Sequence, residues 1–118
     1  MKPSTKGLVA AGLPNVSLVV LFYSLVIHMR LSLGGWPTSI GDRGFPEPLI
    51  VHEHIVLYLF EALLLLAISA LPICILLSIL VARWRRFGPY LALYALFYGI
   101  AWGLVLLAPA PFLDWWWD

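Results

Sequence analysis

The sequence predicts an all-α integral membrane protein with three transmembrane helices, its N-terminus cytoplasmic and its C-terminus outside. Three observations carry that reading. Hydrophobic residues fill 63% of the 118 positions and charged residues 11%. A soluble domain carries roughly 45–50% and about 25%, so there is too little charge here to coat a water-facing globule. Charges also divide the chain into three long uncharged stretches, 7–29, 62–82 and 87–113, of 23, 21 and 27 residues. Each reaches the roughly 20 apolar residues that a helix needs to cross a hydrocarbon core of about 30 Å. Finally, the few charges are sorted by sign along the chain. The same composition excludes a disordered chain, and a net charge of +1 with a single cysteine excludes a nucleic-acid binder and a disulfide scaffold.

The first helix is placed at about 8–29. Lys2 and Lys6 ahead of an apolar run imitate a secretion signal. The run is longer than a signal core of roughly 7–15 residues, however, and His28-Met29-Arg30 is no small-residue cleavage site, so a retained helix is expected. An outer loop follows over 30–49.

The second helix is placed at 50–82, a rod of about 50 Å whose first three turns stand in the interface, with Glu61 near the membrane boundary. Pro72 falls mid-span and should kink it, because proline lacks the N–H and crowds the preceding turn. After an inner loop at 83–89, the third helix is placed at 90–108, beginning past Pro89 and ending before Pro109 and Pro111. The remainder, 109–118, reads as an outer aromatic tail. Its Trp115-Trp116-Trp117 run suits an interfacial anchor, or alternatively a docking peptide for a partner.

Orientation follows from the loops. Lys2, Lys6, Arg83, Arg85 and Arg86 fall on one side without an acid. Arg30 and Arg43 fall on the other, with Asp42, Glu47, Glu53, Glu61, Asp114 and Asp118. Lysine and arginine bias short loops to the cytoplasm, which puts the N-terminus inside. Trp84 then belongs to the inner interface and Trp36 to the outer.

All three histidines lie at the outer end. His28 closes the first helix, and His52 and His54 open the second. If the loop folds back, the three can converge as ligands for haem, a pigment or a transition metal, since imidazole suits Zn, Cu, Fe and Ni. On the helical wheel His54, Glu53, Tyr58 and Glu61 share one face while His52 points elsewhere. The metal set read from this is His28, His54, Glu53 and Glu61. The competing reading is a solvated helix start, because His-Glu-His lacks the i,i+4 histidine pair of helical zinc motifs and ionisable groups at the membrane edge carry less functional weight than deep ones. The polar groups read at depth are Ser17, Ser24, Ser69, Ser78, Cys74 and the tyrosines, a poor lining for a transporter or channel. No catalytic constellation is visible, so the chain is expected not to be an enzyme.

On the third helix Ala92, Ala95, Gly99 and Gly103 make a small-residue face beside Tyr90, Tyr94, Tyr98 and Trp102. Small residues let helices approach closely in a bilayer. Two readings stand. The glycines pack against the first or second helix of the same chain, or Ala95, Gly99, Gly103, Tyr94, Tyr98 and Trp102 form an interface with another protein.

The segment His28-Met29-Arg30-Leu31-Ser32-Leu33-Gly34-Gly35-Trp36-Pro37 resembles one found in small, uncharacterised multi-span bacterial inner-membrane proteins. In them a His-x-Arg-Leu-x-Leu-Gly-x-Trp-Pro run follows the first helix, with an acidic residue soon after, as Asp42 is here. The resemblance implies a bacterial inner-membrane setting and brings no activity with it. Read by itself, the segment is a helix exit with a Gly34-Gly35 turn. The expected function is a small accessory subunit packed on a larger membrane complex, for example an energy-transducing, respiratory or photosynthetic one. The alternatives are a metal-, haem- or pigment-binding protein using the outer histidines, and a small transporter or channel.

Overall fold

A computed structural model of the chain describes residues 3–37 and 44–117. Lys2, Asp42, Arg43 and Asp118, which enter the charge sorting above, lie outside the described residues. Of the described residues 86% are helical and none lies in a strand. Three helical segments are long and apolar enough to cross a membrane: Thr5–Leu33, Glu47–Leu80 and Ala82–Leu106.

α1 runs from Thr5 to Leu33, longer at both ends than expected. Ser4 caps it, its Oγ accepting the Gly7 N–H at 3.0 Å. The helix continues through Arg30 and stops where Gly34 turns left-handed at φ 66°, a conformation that costs glycine least.

α2 spans Glu47–Ile68 and α3 spans Ala70–Leu80. Pro48 sits in the first turn of α2, where a missing N–H costs nothing, so the helix begins three residues before position 50. The expected kink is a break at Ser69. Pro72 supplies no N–H to the Ile68 carbonyl and crowds it, while the Ser69 hydroxyl donates to the Leu65 carbonyl.

Extended Val81 leads into a 3-10 helix, Ala82–Phe87, where a loop was expected. α4 follows directly at Gly88–Leu106, and α5 occupies Ala110–Trp116.

α1 is the central element and packs on both α4 and α2. Its contact with α4 is close because of glycine. A Cβ on Gly12 would sit 2.7 Å from the Phe97 ring, and one on Gly7 2.5 Å from Tyr90. The chain's own core lies toward the end that carries the histidines. There Phe22, Leu25, Met29, Leu49, Val56, Val105 and Phe112 are buried together. A second cluster, Leu18, Phe60, Leu63 and Ala101, lies deeper in the bundle. α3 and the 3-10 helix bury none of their residues.

The stretch 109–117, read from sequence as an aromatic tail, is helical over Ala110–Trp116 and packed on the bundle. Pro109 and Pro111 end one helix and start another, since proline in a first turn is tolerated. α5 lays Phe112 against Phe22, with ring centroids 5.3 Å apart, and stacks Trp116 on Phe112 and Trp117 on Trp102. Phe112 has no exposed surface at all.

Candidate functional site

The apolar stripe of α2 that faces α1 is Leu49, Val56, Phe60 and Leu63, at helical three- and four-residue spacing. His52 falls on that stripe, between Leu49 and Val56. On α1 the matching stripe is Leu18, Phe22, Leu25 and Met29, and Ser24 and His28 flank it one turn apart. Packing the two stripes therefore brings His52 against Ser24 and His28.

The contacts are specific. His28 Nδ1 lies 2.8 Å from His52 Nδ1, with ring centroids 5.0 Å apart. His52 Nε2 lies 2.9 Å from Ser24 Oγ. The Ser24 hydroxyl donates to the Leu21 carbonyl at 2.7 Å. That donation uses the only hydroxyl hydrogen, so Ser24 Oγ accepts from His52 and fixes the proton on Nε2. With that tautomer His52 Nδ1 carries a lone pair, which the Nδ1–H of His28 reaches. Both rings are half-buried.

This arrangement corrects the site read from sequence. His28 meets His52, not His54. About 200° separate His52 from His54 on the helix, and His54 is exposed and rests on Tyr58 with ring centroids 6.0 Å apart. Glu61 is exposed two turns further along. Among the described residues no three His, Cys, Asp or Glu side chains gather to hold a metal ion, so the structure does not bring His28, His54, Glu53 and Glu61 together. Haem ligation by His28 and His52 does not fit either, because two hydrogen-bonded nitrogens leave no gap for a macrocycle between them. Arg30 stacks over the Trp36 ring at 5.5 Å.

The face of α4 also divides. Gly99 and Gly103 are exposed, and a Cβ on either would meet nothing within 4 Å, so they do not pack against α1 or α2. Tyr94, Tyr98 and Trp102 turn the other way and pack on the Leu18–Phe60–Leu63–Ala101 cluster. The Tyr94 and Tyr98 hydroxyls are buried without a hydrogen-bond partner among the described residues, and the two rings stack. They thus face away from the side of α4 that carries the glycines. Tyr90 is satisfied within the chain, its oxygen accepting the Ser4 N–H at 2.8 Å.

One deep polar residue escaped the sequence reading. Asn15 is 1% exposed and donates from Nδ2 to the Tyr94 carbonyl at 3.3 Å. It lines an otherwise apolar groove of about 330 Å³ between α1 and α4. It is the one side-chain amide in the uncharged stretch 7–29, which was the available signal. Comparison with protein-family models, curated proteins and solved structures gives no match.

Proposed function

We propose that the chain is a non-catalytic accessory subunit of the bacterial inner membrane, N-terminus inside and C-terminus outside, and that α4 packs on a helix of a larger membrane complex through Gly99 and Gly103. One observation carries the reading. The glycines that serve the chain's own packing are Gly7 and Gly12 on α1, whereas Gly99 and Gly103 open onto empty space. A Gly-x-x-x-Gly face has its use where another backbone approaches closely, because lipid tails give helices no hydrophobic drive to associate. Ala92 and Leu96 extend the exposed surface toward the start of α4, and Ile100 and Leu104 flank the glycines. The orientation rests on the basic residues around the 3-10 helix and the acids near α2 and α5.

The test is the double variant Gly99→Leu/Gly103→Leu, extracted in mild detergent from native membranes and run on native gels. The expected result is release of the chain from a high-mass assembly, with monomer helix content and melting unchanged. An assembly of unaltered mass, or a wild-type chain that runs as a free monomer, overturns the proposal.

A further inference from the structure

We propose that the arginine end of the bundle holds one anionic phospholipid, its phosphate on Arg83 and Arg86 and an acyl chain in a groove between α1, the α2–α3 break and α4. The site is independent of the α4 glycine face and stands or falls separately from the accessory role.

The head-group half follows from charge and helix type. Arg83, Arg85 and Arg86 fall within the six residues Ala82–Phe87, and all three are exposed. No Asp or Glu occurs between Glu61 and Asp114, so the segment offers them no acid. A 3-10 helix repeats every three residues and rises about 2.0 Å per residue, so side chains at i and i+3 align about 6 Å apart. Arg83 and Arg86 therefore share one edge, Trp84 and Phe87 share another, and Arg85 lies on the third. The aromatic pair is in contact, with ring centroids 5.6 Å apart. The Arg86 guanidinium carbon sits 4.9 Å from the Phe87 ring centroid, and stacking of this kind leaves the in-plane N–H donors open. Two guanidinium groups on one edge suit a phosphate, which arginine takes in bidentate fashion. Exposed Lys6 adds a cation at the same end, where the Ser4 N–H donates to the Tyr90 oxygen at 2.8 Å.

The acyl half is a separate observation. A groove of about 250 Å³ begins at Tyr90, three residues past Phe87, and passes between Ala11 of α1, Leu91 of α4, and Leu66, Ala70 and Cys74 on either side of the break at Ser69. Next to it α3 buries none of its residues, and Ile73, Leu76 and Ile79 are exposed. A soluble anion would use the arginines and leave the groove bare. A phospholipid uses both, because its chains cover apolar side chains directly beneath its phosphate. Clusters of basic residues beside a membrane-spanning helix attract anionic head groups, and a zwitterionic lipid lacks the net charge to answer them.

The experiment titrates the full chain in mild detergent with phosphatidylglycerol or with phosphatidylcholine of the same acyl chains, and counts retained lipid by native mass spectrometry. The expected result is one phosphatidylglycerol per chain under conditions that strip phosphatidylcholine. Arg83→Gln/Arg86→Gln should weaken affinity roughly 30-fold, since each arginine near an anionic lipid counts about 5-fold. Arg85→Gln should cost less than either single variant of that pair, and Arg30→Gln, at the opposite end, should cost nothing. The groove is read on the wild type, so that arm does not depend on whether a variant folds. Phosphatidylglycerol should protect Cys74 from N-ethylmaleimide, and glycerol phosphate, which has the charge without the chains, should not. Equal retention of the two lipids, an Arg30→Gln loss equal to that of the Arg83/Arg86 pair, Cys74 left unprotected by phosphatidylglycerol, or protection by glycerol phosphate overturns the proposal.

Discussion

The two ends of the bundle are built differently. At the histidine end α1, α2, the end of α4 and α5 bury an aromatic and aliphatic core of their own, centred on Phe22 and Phe112. At the arginine end α3 and the 3-10 helix bury nothing, and Ile73, Leu76, Ile79 and Leu80 are exposed. The exposed α3 is more apolar in sequence than α1 or α2, so hydrophobicity alone does not decide where a core forms. In a bilayer an apolar side chain loses nothing by facing lipid, and a helix satisfies its own backbone. A core then forms only where shapes interlock. Here α5 folds back and fills the histidine end with rings.

The sharpest way to break this contrast is a matched pair of truncations. Phe112→Ala removes a ring that touches Phe22, Trp36, Trp115 and Trp116. A buried phenylalanine lost to a cavity costs about 3–5 kcal/mol. Leu76→Ala, on exposed α3, should stay within about 0.5 kcal/mol, as surface changes do. Unfolding in detergent followed by circular dichroism reads both. Equal losses would mean that the arginine end also holds a core.

A second test moves from filling to clearance. Gly12→Leu drives a side chain into the Phe97 ring, where even a Cβ would lie 2.7 Å away. Overpacking costs typically about 1–3 kcal/mol, and here it should pry α1 from α4. Cysteine cross-linking between those helices measures the separation. Gly99→Leu alone, facing open space, should leave the same cross-link untouched. If the two behave alike, the division of labour between the glycines of α1 and α4 is wrong.

Much of the architecture was legible in the sequence because its causes are local. Uncharged length marks the spans, Gly34 marks the exit of α1, and Pro72 marks the break at Ser69. What escaped depends on which faces meet. α5 is hidden because Pro109 and Pro111 signal a stop and a start equally well. The partner of His28 is hard to name from sequence because Glu53, His54, Tyr58 and Glu61 form the more polar face of α2, and polarity points to His54. The apolar stripe Leu49–Val56–Phe60–Leu63, which contains His52, was the signal that names the right histidine. Asn15 and the inward turn of Tyr94 and Tyr98 likewise follow from the rotation of α4 against α1, which no periodicity of α4 alone determines.

The smallest effect belongs to the arginine end, at the start of α1. Tyr90 is the link between that helix start and α4, its oxygen accepting the Ser4 N–H at 2.8 Å. Ser4 in turn caps α1. Tyr90→Phe keeps the ring that shields Gly7 and removes only the hydroxyl. The cap itself survives, because Ser4 Oγ still accepts from Gly7, so the helix should not shorten. What should change is fraying: amide exchange in the first turn of α1 should quicken while exchange beyond Asn15 and the melting temperature hold steady. A local response of that kind fits an end stabilised by lipid and single contacts. A drop in melting temperature comparable to that of Phe112→Ala would show instead that the Ser4–Tyr90 link holds the bundle as a unit, and that the two ends are not independent.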